Sequence, residues 1–158
     1  MVAWKSNTNL NETNTVLIIS QDSEMIDVWK ALFEQKNCYV VAETSTGAAT
    51  QTSRLLAPTL IVLDLNLSPA ERVKLCRELR STTNGTILLL APKGDLTEIS
   101  EYLHAGADEF LSTPISPMAL LIKSMAWLVR QEWAGSNAQS SEMYLYRGLW
   151  RCLLIVST

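Results

Sequence analysis

The stretch that decides the fold is Thr59 to Leu67, TLIVLDLNL, where four consecutive aliphatic residues run into Asp64 and Asn66. Such a run has no polar alternation, so both of its faces must be covered, as in a central strand of a parallel sheet. Thr15 to Ser20 (TVLIIS) and Thr86 to Ala91 (TILLLA) repeat the pattern, and Tyr39 to Thr44 (YVVAET) and Glu109 to Ser112 read as two further strands.

Between these runs the periodicity becomes helical. Over Glu24 to Lys36, Met25, Val28, Trp29, Leu32 and Phe33 fall on one face, with Asp22 or Ser23 placed as a cap. Gly47 to Ala57 stops before Pro58, whose ring disfavours a helical residue ahead of it. Pro69 to Arg80 carries Val73, Cys76 and Leu79 in phase, and Leu96 to Ala105 ends at Gly106, a natural left-handed cap. Ser116 to about Trp133 is the longest helix, with Leu120, Leu121, Met125, Leu128 and Val129 recurring along it. Five alternations of strand and helix predict an α/β fold, a doubly wound parallel sheet with helices on both faces. Function should then lie where the strands end at their carboxyl side.

A chain of 158 residues fits one domain. With 47% hydrophobic and 18% charged residues it can bury a packed interior. Thirteen Lys and Arg against sixteen Asp and Glu leave a net charge of −3, which supplies no basic field for nucleic acid, so no direct DNA binding is expected. Cys38, Cys76 and Cys152 are odd in number and far apart, and His104 is the single histidine. This disfavours both a disulfide framework and a zinc site. His104 reads as a plain surface residue. The apolar stretches near Ile115 to Val129 and Tyr144 to Val156 are broken by Lys123 and by Arg147 and Arg151, short of the roughly 20 residues that span a bilayer. No membrane span and a cytoplasmic location are expected. Residues 1–14 read as a disordered polar leader, 15–131 as the folded domain, and 132–158 as a linker, GSNAQSS at its centre, with a short tail.

Asp64 ends the third strand. It reads either as a turn residue at a strand exit or as a carboxylate nucleophile that accepts a phosphoryl group. Nothing points to an enzyme: the loop after the first strand, SQDSE, has no glycine to cradle a phosphate, and no acid/base pair is evident.

The element order, Asp64 within LDLNLSP, LCRELR in the following helix, AGADEFLSTP across the fifth strand and Ser116-Pro117 together resemble the receiver domain of two-component response regulators, over Thr15 to Arg130. The resemblance implies a flavodoxin-like five-stranded sheet of order 2-1-3-4-5, with Asp64 as the phosphoacceptor for a histidine kinase or another signalling protein. It also implies Mg²⁺ held by two acidic residues after strand one, a hydroxyl residue ending strand four and a lysine before the strand-five proline. Here those positions read Ser20 and Gln21, Leu90, and Thr113. Asp64 and Asp22 remain as candidate metal ligands, a thin set for a cation that prefers octahedral oxygen. Each lost electrostatic contact of this kind is commonly worth about 3 kcal/mol, so the chain reads as a divergent receiver, or as a pseudo-receiver that acts as a protein interaction module. Phe110 matches the switch aromatic of strand five, against an ordinary core role.

The fourth and fifth predicted helices also resemble the OmpR/PhoB subfamily, which dimerises through that face by charged pairs. Glu98, Glu101, Asp108 and Glu109 would meet Lys123 and Arg130 there, in a homodimer or simply as a solvated surface. Tyr146 to Trp150 is similar to the opening of that subfamily's winged-helix effector domain. The tail therefore reads either as a truncated effector start or as a segment packing on the receiver or a neighbour.

Overall fold

A computed structural model describes residues 13–136. The expected leader over residues 1–12 and the tail over residues 137–158 lie outside the described residues. Five strands, β1 (Thr15–Ser20), β2 (Tyr39–Glu43), β3 (Leu60–Asp64), β4 (Thr86–Ala91) and β5 (Glu109–Ser112), form one parallel sheet of order β2-β1-β3-β4-β5. Five helices connect or follow them: α1 (Ser23–Gln35), α2 (Thr46–Leu56), α3 (Pro69–Arg80), α4 (Leu96–Ala105) and α5 (Pro117–Ser136).

The unbroken aliphatic runs are explained by two cores. Val16, Ile18, Leu60, Val62, Leu88 and Leu90 pack under α1 and α5, against Trp29, Phe33, Leu120 and Leu128. Leu17, Ile19, Ile61, Leu63, Ile87 and Leu89 pack on the other face, under Ala49 of α2, Leu75 and Leu79 of α3, and Tyr102 of α4. Alternate residues of each strand thus meet opposite helical layers, so neither face can be polar.

Local chemistry sets the boundaries. Asp22, of the two cap candidates, caps α1, accepting from the Met25 N–H at 3.1 Å. Ser68 and Asp95 open α3 and α4 with capping boxes closed by Glu71 and Glu98. Gly106 ends α4 at φ +134°, and a Cβ there would also press on Arg80. Gly85, before β4, runs so close to the Pro58 carbonyl that a Cβ would lie 2.2 Å from it.

β3 stops at Asp64, as expected, and the chain turns there, the Leu67 N–H donating to the Leu65 carbonyl at 3.0 Å. Two expectations need correction. The last helix continues to Ser136, through the start of the expected linker at residue 132. Its penultimate turn is tied to the sheet by Gln131, which donates to the Thr59 carbonyl at 2.8 Å and to the Thr86 hydroxyl. Asp108 is not a surface charge: its side chain is fully buried and pairs with Arg80 at 3.1 Å, while also accepting from the Ile87 N–H.

Candidate functional site

Parallel register brings the ends of β1 and β3 side by side, with Ser20 opposite Asp64. The fully buried Ser20 hydroxyl donates to the Asp64 carboxylate at 3.3 Å and accepts from the Asp22 N–H at 3.1 Å. These two strand ends, with the ends of β4 and β5, line a cleft of about 420 Å³ formed by Ser20, Gln21, Asp22, Asp64, Leu65, Asn66, Leu90, Ala91, Pro92 and Thr113. Asp64, Asp22, Ser20, Gln21, Leu90 and Thr113 are therefore gathered in one place; Phe110 stands outside it.

Electrostatically the cleft is unbalanced. It has two carboxylates and no Lys or Arg in its lining. Burial pushes the Asp64 carboxyl above the ordinary carboxylate value; the Ser20 hydrogen bond opposes that shift, and the Asp22 charge adds to it. A resident cation would reverse the sign of such a site.

The donor set does not fit Mg²⁺. The first strand-end position offers a buried neutral hydroxyl already bonded to Asp64, Gln21 is neutral, and Asp22 has an oxygen committed to the α1 cap. Among the described residues no group of three His, Cys, Asp or Glu side chains is arranged to hold a metal ion. Divalent binding needs carboxylate charge to offset dehydration of the ion, and two carboxylates, one of them capping a helix, supply little.

Thr113 lies beyond β5, its N–H donating to the Ala91 carbonyl at 2.9 Å, and is joined to Pro114 by a cis peptide bond. Leu90 is buried with Leu88 and Leu111 beneath α5. Ala91, by strand alternation, shares the opposite face with Phe110. Neither Leu90 nor Ala91 carries a hydroxyl. Phe110 is half-buried and stacks on Tyr102 of α4, ring centroids 5.9 Å apart, and the Tyr102 hydroxyl accepts from buried Arg72 of α3 at 3.2 Å.

Sequence reasoning missed Tyr102, Arg72 and Ala91. Tyr102 sits four residues before Gly106 in phase with the α4 core, which was the one available signal. Arg72 gave none, since a buried arginine is indistinguishable in sequence from a solvated one. His104 is exposed, as expected, and is within 2.8 Å of the Ser100 carbonyl of its own helix.

The sequence profile of the response regulator receiver domain matches residues 16–124. The chain belongs to the response regulator receiver family. This receiver is 36% identical over 117 residues to Protein PetR of Rhodobacter capsulatus, covering 72% of the chain and 48% of PetR. It is 26% identical to the DNA-binding response regulator MtrA of Mycolicibacterium smegmatis, covering 74% of the chain and 51% of MtrA. It spans about half the length of the curated relatives it matches. Among solved structures, a two-component response regulator from Clostridium difficile superposes with a TM-score of 0.68 at 24% identity, covering 75% of this chain and 98% of that one. The BeF3-activated N-terminal receiver domain of Klebsiella pneumoniae RstA does so at 0.63 and 25% identity, covering 73% and 98%. Among the described residues no helix of the receiver is long and apolar enough to cross a membrane.

Proposed function

We propose that this receiver works as a protein interaction module in two-component signalling whose output does not depend on phosphorylation of Asp64. The observation that carries this reading is the cleft itself: Asp64 is held by Ser20, faces Asp22 and has no lysine or arginine in the lining with it. Phosphoryl transfer is catalysed almost entirely by positioning and by positive charge placed around the transferring group. Thr113 supplies none of that charge, Ser20 and Gln21 supply no carboxylate for a cation, and neither Leu90 nor Ala91 offers a hydroxyl to couple the cleft to Phe110. The partner is a histidine kinase or another cytoplasmic signalling protein rather than DNA, in keeping with the net charge of −3.

A second reading keeps Asp64 as a slow phosphoacceptor, and the opening of its carboxylate into the cleft favours it. Asp64→Asn separates the two in cells. Partner binding and signalling unchanged from wild type support the interaction module; their loss supports the phosphoacceptor.

A further inference from the structure

We infer that the outer side of α5 is a docking surface for the chain's own tail, Leu145 to Val156 packing along it as an antiparallel helix. Ile122, Ala126, Val129 and Trp133 form an exposed row on α5 at spacings of four, three and four. That is the 3.5-residue repeat of a seam between two helices. Ile122, Val129 and Trp133 are 64%, 61% and 63% exposed, although Leu120, Leu121, Ser124 and Leu128 of the same helix are buried. A lone exposed leucine needs no explanation, but an ordered row about 17 Å long does.

The tail carries the same repeat. Leu145, Leu149, Cys152 and Val156 are also spaced by four, three and four. Laid antiparallel, the two rows match without a slip: Trp133 meets Leu145, Val129 meets Leu149, Ala126 meets Cys152 and Ile122 meets Val156. α5 ends at Ser136, so residues 137–143 form the connection, within the roughly two to eight residues that join neighbouring antiparallel helices. Helical spacing also sorts the tail's charges. In a helix Arg147 and Arg151 fall on the side opposite the Leu145 row, whereas strand alternation would set them on one face with Leu145, Leu149 and Leu153. Ser141 is a suitable N-cap, and Glu142 falls in the first turn, where the helix dipole favours an acid.

The length of the row selects the occupant. One short helical face covers less than the roughly 800 Å² per partner that a stable complex of separate molecules buries. A short tether raises the local concentration to about the millimolar range, so a contact too weak to join two molecules closes within one. The bordering cations are drawn aside: Lys123 pairs with Glu109 at 2.8 Å, and the Arg130 guanidinium lies 5.0 Å from the Trp127 ring centre. Docked in this way, the tail withholds the outer side of α5 from other proteins. The inference is independent of the reading of Asp64.

Cys152 lies within the seam and reports on it. In the native 158-residue chain its alkylation by iodoacetamide, read from the mass of its peptide, should be at least about 10-fold slower than in urea. Val129→Glu should bring it to within about threefold of the urea rate, with the domain still folded by circular dichroism because Val129 is exposed. Ala126→Cys should form a disulfide with Cys152 when oxidised by copper phenanthroline in air, the two thiols giving up two hydrogens to the oxidant, and the product should keep the mass of a single chain. Lys123→Cys, about a quarter-turn from the row, should not. The inference is overturned by a Cys152 that reacts natively as fast as in urea, or by protection that survives Val129→Glu. It is equally overturned by cross-linking as ready from position 123 as from 126, or by a disulfide that joins two chains, the result expected if a second copy covers the face.

Discussion

Restoring the missing charges should restore chemistry. Thr113 lines the same cleft as Asp64, so Thr113→Lys puts an ammonium where the transferring phosphoryl group would carry charge. A preorganised contact of that kind is worth about 3 kcal/mol, or roughly 100-fold in rate. Adding Ser20→Asp and Gln21→Asp supplies the carboxylates that a divalent cation lacks here, for a further factor of about 100. The second step carries a penalty, since Ser20 is fully buried and its hydroxyl is the hydrogen-bond partner of Asp64. A new carboxylate there repels Asp64 until a cation binds, so the triple variant should melt lower than wild type and recover when Mg²⁺ is added. The assay is the rate of phosphoryl mass gain with acetyl phosphate and Mg²⁺, with Asp64→Asn in the triple background as the blank. A folded, Mg²⁺-stabilised triple variant that gains no phosphoryl group, or a wild type that gains it as fast, would refute the reasoning.

Arg80 donates to the carbonyls of Thr83, Gly85 and Gly106 as well as to Asp108, so Arg80→Ala leaves a buried carboxylate without its cation; urea denaturation should show a loss of about 3–5 kcal/mol, and a loss below about 1 kcal/mol would contradict the assignment. Because burial raises the Asp64 carboxyl, the folded state holds its proton more tightly than the unfolded chain. Stability present at low pH is therefore lost as pH rises through the folded value, and the advantage of Asp64→Asn over wild type should grow between about pH 4 and pH 7; a flat or falling difference would be inconsistent. Burial pushes the Cys76 thiol up to about 12 and the residue has no exposed surface, so Cys76 should resist iodoacetamide in the native protein and react only under denaturing conditions; labelling of the native thiol would count against the packing beneath α3.

The fold was legible wherever local chemistry fixes an element. α3, β4, α4 and β5 begin and end where their Pro, Gly, capping and aliphatic residues indicate, because each signal acts within a few residues. α5 ran long for the converse reason: the anchoring of Gln131 on Thr59 depends on a partner remote in sequence. Asp108 illustrates the same limit, since its cation is 28 residues away on α3. The site was legible as a set of positions at strand ends, which the parallel topology gathers into one cleft. Which face each residue takes was not: Leu90 and Ala91 are neighbours in sequence, yet one enters the core beneath α5 and the other lies on the side of Phe110.

The central claim is that the cleft around Asp64 no longer supports phosphoryl transfer. Its most direct test is intact mass spectrometry of the wild-type chain after incubation with acetyl phosphate and Mg²⁺, beside a receiver that retains the acidic pair, hydroxyl and lysine. The account predicts one added phosphoryl group on the control and none on this chain. A stoichiometric gain that disappears in Asp64→Asn would contradict it.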